Sequence, residues 1–387
     1  MRSWWCRRHC WKPAAAAAAA YCSIPFGVLG FATIKSQHYY SYRCHHRRFL
    51  FMNSNTNNYK KSMSLIDVDC NLWHADLNKN LLDNKEELSP LSILLEDAVE
   101  ESNIIAMVSP SSTIQEAKHG LALLKERQQL QQHFVKILTT VGVHPYHVND
   151  IDTTTTTGLR SPIHEYYDEM KQLIQHHSSL VCAVGECGLD SSPGFPPIID
   201  QIPWFQLQIK LAQELNLPLF VHERGAFQET MDLLKEFHQN KNNGETKVII
   251  HCFTGTPDEC QQYMDRGYYI SLSGYICKPA NVVMAQECLR HIIPLDKLML
   301  ETDAPYMGFP KCRQSYLDKN IDSMIHNTTT TSKQRKKFLQ GTYPNVPSSL
   351  PMVLDQVVKL LDNPDLTHEK VAQQTTANAI AFFGFQL

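Results

Sequence analysis

Leu298-Met299-Leu300-Glu301-Thr302-Asp303-Ala304-Pro305-Tyr306 is the stretch whose reading decides the fold. Three apolar residues run into two carboxylates, and a proline stops the run. A short buried strand ending at Asp303 and terminated by Pro305 accounts for this order. A carboxylate at the end of a buried strand is costly unless it is paired with a charge or bound to a metal. A single such Asp reads as a capping or salt-bridged residue. Here the same pattern recurs at other strand ends, and the recurrence points to a functional rim.

Working outward, short β-branched runs alternate with segments of helical period. Strands are expected near Leu65–Asp69, Ile104–Ser109, Lys136–Val143, Leu180–Glu186, Leu217–His222, Lys247–Cys252, Tyr268–Ser273 and Leu298–Thr302. Between them lie Leu121–Gln132, Ile163–His176, Trp204–Leu215, Phe227–Gln239, Glu259–Arg266 and Val282–Ile292, with apolar residues three or four apart. Helices are also expected at Met352–Leu361 and His368–Phe383. Strands alternating with helices imply a parallel sheet with right-handed crossovers. Eight such units in about 240 residues match the size of a (β/α)₈ TIM barrel.

In such a barrel the C-terminal strand ends converge on one mouth. Those ends carry Asp69 and Asn71, His144, Glu186 and Asp190, His222 and Arg224, His251, and Asp303. Two imidazoles, His222 and His251, with two carboxylates, Glu186 and Asp303, form a mixed nitrogen and oxygen donor set suited to Mg²⁺, Mn²⁺ or Zn²⁺. A bound divalent ion polarises a phosphoryl or carbonyl oxygen and lowers the pKa of its water. In a two-ion arrangement Glu186 is the candidate bridge. Asp303 is the candidate acceptor for the proton of the attacking water.

In order, Gly-Val-His-Pro at 142–145, Val-Gly-Glu-Cys-Gly-Leu-Asp at 184–190, Val-His-Glu-Arg at 221–224, His-Cys-Phe-Thr-Gly at 251–255 and Leu-Glu-Thr-Asp-Ala-Pro-Tyr at 300–306 resemble the TatD family of metal-dependent deoxyribonucleases, which are amidohydrolase-type barrels. The resemblance spans roughly Leu65 to the C-terminus. It implies a divalent-metal hydrolase that cuts phosphodiester bonds and trims DNA from the 3′ end. Carried over position by position, it implies metal ligation by Glu186, His222, His251 and Asp303, and phosphate contacts by His144 and Arg224. A guanidinium suits that contact because it grips a phosphate bidentately; its structural alternative is an ion pair with Glu223 or Asp190.

Three positions depart from the usual pattern. Many members carry His-x-His after the first strand; this chain carries Asp69-Cys70-Asn71, as one branch of the family does. Those harder oxygen donors imply a second, weaker metal position that prefers Mg²⁺. The usual His-Pro-His is His144-Pro145-Tyr146-His147, with the second imidazole displaced by one. The usual Asn-Glu-Pro is Asn345-Val346-Pro347, without the acid.

Charge is distributed unevenly. Residues 1–66 hold ten Lys or Arg and no acid; removing them from 36 bases leaves 26 against 39 acids, so the remainder sums to −13. A body so acidic excludes coating of a duplex by a broad basic surface, and favours recognition of ends. At 43% apolar and 19% charged residues the composition is globular. The twelve cysteines form no CxxC pair, which argues for small buried residues in a reducing compartment.

Residues 1–64 read as a disordered basic leader, with Arg7, Arg8, Arg43, Arg47, Arg48 and the run Ala14–Ala20. An Arg-rich, acid-free start is the composition of a mitochondrial or plastid presequence. A signal anchor over Pro13–Ile34, or initiation at Met52 or Met63, are the other readings; without a targeting role the protein would be cytoplasmic or nuclear. The domain then covers 65–387, with insertions at about 152–158, where five threonines adjoin, and 308–344, which holds Thr328–Thr331 and the cluster Lys333-Gln334-Arg335-Lys336-Lys337. Such low-complexity runs are expected as disordered loops, and the basic cluster as a solvated loop or a backbone contact. The expected activity is 3′→5′ exonucleolysis of single-stranded DNA ends with Mg²⁺, or Mn²⁺ or Zn²⁺ in its place. No stable protein partner and no membrane association are expected for the barrel. The alternatives are ester hydrolysis, as in a D-aminoacyl-tRNA deacylase, and a non-catalytic binding barrel.

Overall fold

Eight short, largely buried segments form one parallel sheet. They are β1 (Leu65–Asp67), β2 (Ile104–Ser109), β3 (Lys136–Val141), β4 (Val181–Asp190), β5 (Leu219–Arg224), β6 (Val248–Ile250), β7 (Tyr269–Leu272) and β8 (Leu298–Leu300), each paired in parallel with the next. The computed structural model describes residues 63–78, 90–129, 135–150, 163–239, 247–317 and 340–387. The ring closes beyond the ends of β1 and β8. Val68 N–H donates to Leu300 O at 3.1 Å, Asp303 N–H to Asp69 O at 2.8 Å and Asn71 N–H to Ala304 O at 2.8 Å. Asp67 fastens this seam from below: its buried carboxylate accepts from Thr302 N–H at 2.8 Å and Thr302 Oγ1 at 2.6 Å. The expected (β/α)₈ barrel is the observed architecture.

The crossovers carry α1 (Ala75–Asn78) and α2 (Pro90–Ser102) after β1, α3 (Ile114–Gln129) after β2, α4 (Ile163–His176) after β3 and α5 (Ile198–Leu215) after β4. Then come α6 (Phe227–Gln239), α7 (Pro257–Asp265) and α8 (Val282–His291), and, after β8, α9 (Leu350–Leu361) and α10 (His368–Phe383). Helix α2 is absent from the sequence reading, although Pro90 stands at its start and Leu94, Leu95 and Ala98 bury a helical face. Helix α5 begins six residues before Trp204 and runs through Pro203, losing only that residue's backbone donor. Strand β4 extends four residues past Glu186, because Cys187 to Asp190 pair with Val221 to Arg224 of β5.

Apolar side chains fill two layers. The larger joins the strands to the surrounding helices; the smaller lies inside the ring, where Val68, Val108, Leu138, Phe220 and Met299 meet Phe382, Phe383 and Phe385. Helix α10 and the residues after it thus plug one end of the barrel. The other end is polar. Phe220 joins the two, lying 5.0 Å from the His251 ring on one side and 6.3 Å from Phe383 on the other.

Two fully buried glutamines of α5 hold the loops that matter. Gln208 accepts from Val143 N–H at 2.8 Å and donates to Val143 O at 3.0 Å, fixing the backbone before His144. Gln201 does the same for Asp190, with both bonds at 2.8 Å. A buried primary amide that engages both the N–H and the C=O of one residue is satisfied. Met63 and Ser64 are the only described residues of the leader; the rest of 1–64, the threonine run and the Lys333–Lys337 cluster fall outside the described residues. In the stretch from Gly308, Phe309, Cys312, Tyr316 and Leu317 are buried and Arg313 Nη1 donates to Pro344 O at 2.6 Å, so residues 308–317 are packed structure.

Strand β4 bulges between Val184 and Cys187, where its register against β5 shifts. A bulge re-aims a side chain, and here Glu186 is the residue turned into the mouth. Two glycines permit this. A Cβ on Gly185 would lie 2.4 Å from Phe220 O, and one on Gly188, at φ +140°, would lie 1.9 Å from His222 O. Gly188→Ala therefore combines backbone strain with a clash against β5. It is expected to lower unfolding free energy by about 2–5 kcal/mol, read as a lower urea midpoint; an unchanged midpoint would refute the close approach.

Candidate metal centre

Glu186 stands at the centre of the polar mouth. Its Oε1 lies 2.7 Å from His251 Nε2, 3.1 Å from His222 Nδ1 and 3.3 Å from His144 Nε2. His222 turns its other nitrogen to Asp190 Oδ2 at 2.9 Å, which fixes the ring. The two rings also face each other, with His222 Nδ1 3.3 Å from His251 Nε2. Alternate residues of β5 share one face, so His222 and Arg224 both belong to this mouth.

A second group lies behind the first. His251 Nδ1 is 2.9 Å from Asp69 Oδ2 and 3.7 Å from Glu301 Oε1. These three atoms are buried and none has a hydrogen bond of acceptable geometry. Ser271 Oγ donates to the other Glu301 oxygen at 2.6 Å, which holds the carboxylate in place. Asn71 Nδ2 bridges Asp69 Oδ1 and Asp303 Oδ1, both at 3.3 Å.

The charges respond to one another. Burial works against ionised Glu186, but His251 and His144 outweigh it and hold the carboxyl well below its usual range. Burial likewise opposes protonated His251, yet Glu186, Asp69 and Glu301 raise that imidazole well above its usual value. Burial lifts Asp303 to about 7, with Glu301 and Glu186 adding to the rise and His251 opposing it. Burial, then Asp303 and Glu301, also raise Asp69 well above the carboxylate range against His251. Burial together with crowded like charge is what lifts these two groups.

Imidazole and carboxylate donors converging in a buried, negatively charged pocket fit a divalent cation. Two sets do so: His144, Glu186 and His222, which also bond one another, and Asp69, His251 and Glu301, whose facing atoms lack hydrogen bonds, the chosen atoms of each within 4.8 Å of one another. Glu186, His222 and His251 of the expected quartet are therefore brought together. Asp303 is joined to them through Asn71 and through the charges of Glu186 and His251. His144, expected against phosphate, packs against Glu186 in the first set. His147 stays outside, against Asp150 Oδ2 at 2.9 Å.

Arg224 lies beside the centre without the ion pair weighed for it. Its Nη2 faces Cys252 Sγ at 3.9 Å and its Nε has no hydrogen-bond partner among the described residues. Burial disfavours its charge, but Cys252, Asp190 and Asp303 more than restore it. Glu223 is engaged elsewhere, accepting from Ala226 N–H at 2.9 Å and Tyr263 OH at 3.1 Å. At Val346, where the family's acid is missing, the side chain is fully buried in the core. Asn345 supports the rim there, donating to Thr302 O at 2.9 Å.

Sequence reasoning gave no role to Glu301, although it lies in the decisive run. Glu301 and Asp303, two residues apart at one strand end, carried the signal. Asp190 was read as a strand end and as a possible ion-pair partner of Arg224, not as the residue that orients His222.

A family model described as TatD related DNase matches residues 66–384. A relative from Erwinia amylovora, named 3'-5' ssDNA/RNA exonuclease TatD, is 30% identical over 284 residues, which is 73% of this chain and 90% of that protein. A solved TatD family hydrolase from Entamoeba histolytica gives a TM-score of 0.62 at 21% identity, covering 83% of this chain and 99% of that one. An amidohydrolase from Saccharomyces cerevisiae, described as uncharacterized, gives 0.61 at 20%, covering 83% and 100%. At these identities the two structures bear on the fold alone.

If both donor sets hold ions, metal-free protein takes up two per chain, measured by equilibrium dialysis with elemental analysis. An ion at a hundred times its Kd adds about 2.7 kcal/mol, a rise in Tm of roughly 4–8 °C for a domain of this size. Glu301→Gln, which keeps the shape and the Ser271 bond, is expected to bind one ion. Two ions retained in that variant would remove Glu301 from the set.

Proposed function

The chain belongs to the TatD-related DNase family, and on that premise we propose that it is a divalent-metal-dependent nuclease removing nucleotides from the 3′ ends of single-stranded DNA. The observation that carries the reading is Glu186 Oε1 within 3.3 Å of three imidazoles, in front of a second set of orphaned donors. Glu186, His222, His251 and Asp303 would hold metal, with His144 beside Glu186, and Asp69, Asn71 and Glu301 would serve the weaker position, which His251 also faces. Bound there, Mg²⁺ (or Mn²⁺ or Zn²⁺) polarises a phosphoryl oxygen and acidifies water.

The chain's own groups supply the rest. Asp303, at the end of β8 and steadied by Asn71, takes the proton of the attacking water. Asp190 keeps the His222 ring in one orientation. Arg224 offers an uncommitted Nε–H and the charge to hold the phosphate. Exposed Tyr146, Tyr306 and Tyr343 follow β3 and β8 onto the rim, and aromatic faces of this kind take single-stranded bases by stacking. The relative from Erwinia amylovora carries both DNA and RNA in its name, so RNA ends belong in the same assay.

Labelled single-stranded DNA is expected to shorten from its 3′ end in the presence of Mg²⁺ and to stay intact with chelator. Glu186→Ala should lower the rate by at least about a thousandfold, in line with losing a group that organises transition-state charge. Retained cleavage in chelator, or in Glu186→Ala, would overturn the proposal. Cleavage of charged tRNA with intact DNA would transfer it to the deacylase class.

For the leader, the acid-free Arg-rich composition supports organelle import. A fluorescent fusion of residues 1–64 should then collect in mitochondria or plastids; a diffuse signal would refute import.

A further inference from the structure

Next to the metal centre, past Arg224, lies a cavity of about 310 Å³ between the ends of β5, β6 and β7 and helix α8. Nothing in the mechanism above uses it. Its size sits at the lower end of small-molecule sites, which run from about 300 to 1,000 Å³. Leu272, Ile276 and Cys288, each 1% exposed, form its inner wall. Phe253 and Ala285 add apolar surface, and Thr254 and Tyr275 bring hydroxyls. At its edge Met284 is 42% exposed, and the carboxylates of Glu223 and Glu259 also line it.

Arg224 belongs to both compartments. It lines the cavity, while Asp190 and Asp303 of the metal centre and Tyr275 of the cavity all act on its charge. A ligand whose phosphate meets Arg224 and whose remainder is flat, largely apolar and edged with polar atoms would span the two. A nucleoside 5′-phosphate has that build.

We propose that this cavity seats the 3′-terminal nucleoside of the substrate, with the scissile phosphate against Arg224. The inference rests on the nuclease reading and extends it to the determinant of end specificity. A cavity with a buried inner wall takes a chain end and has no room for a strand passing onward. The released product, a nucleoside 5′-monophosphate, keeps the same seat until it leaves.

The test uses the full chain with Mg²⁺ and two oligonucleotides, one ending in a normal 3′ nucleotide and one in a 3′ abasic tetrahydrofuran residue. Wild type is expected to cleave the abasic end on the order of ten- to a hundredfold more slowly in kcat/KM, as loss of a single base contact implies. Ala285→Phe, which fills the cavity from outside the metal centre, should slow the normal end by a larger factor than the abasic end, so that the two rates converge. Binding of dAMP by calorimetry gives a readout independent of turnover: it should be present in wild type and lost in Ala285→Phe. Equal rates on the two ends, or dAMP binding undisturbed by Ala285→Phe, would overturn the cavity assignment while the nuclease reading stands. No cleavage of either end with dAMP binding intact would overturn the nuclease reading and leave the seat. Absence of both would remove both. If Ala285→Phe fails to fold by circular dichroism, the comparison of ends and dAMP binding in wild type still decide.

Discussion

Buried negative charge is the constraint around which this molecule is organised. Asp67, Asp69, Glu186, Glu301 and Asp303 are all nearly inaccessible at one end of the barrel, and taking each carboxylate out of water costs several kcal/mol. Arg224 is the basic side chain that shares their charge field. The imbalance is met in three ways. Asp67 is tied down by hydrogen bonds from Thr302, Glu186 draws three imidazoles around itself, and Asp69 and Glu301 are left with oxygens facing His251. The first two are satisfied by the protein. The third asks for a cation.

Holding like charges so close requires rigid strand ends. The bulge in β4 supplies the orientation of Glu186, and glycines on either side let β5 come near enough for His222 to reach it. The glutamines of α5 then lock the two loops that follow β3 and β4. Phe220 carries the rigidity downward, stacked between His251 and the aromatic plug of the last helix. The centre is thus supported from beneath by core packing rather than by its own flexible rim.

Much of this was legible in the sequence, for identifiable reasons. Parallel strands buried on both faces are nearly continuous apolar runs, so Ile104–Ser109 and Leu298–Leu300 announce themselves. Polar residues placed directly after such runs can only lie at the mouth, which is why Glu186, His222 and His251 were found. What stayed hidden depends on tertiary geometry. The extension of β4 to Asp190 needs the bulge, which no local pattern reveals. Gln201 and Gln208 look like surface residues until the loops they hold are seen. Glu301 was obscured by its neighbour, since Asp303 ends the strand and drew the functional reading to itself. Helix α2 is absent from the sequence reading although Leu94, Leu95 and Ala98 carry its period.

The seam between β1 and β8 has a consequence for how the protein comes into being. Thr302 and Asp67 are 235 positions apart, so the contact that shuts the ring spans most of the polypeptide. Assembly dominated by such distant pairings is slow, and during vectorial synthesis the closing segment emerges long after the first strand. Asp69 and Glu301 come from opposite sides of that seam. No partially translated barrel can bring them together, and the orphaned donor set is completed only when the last strand docks.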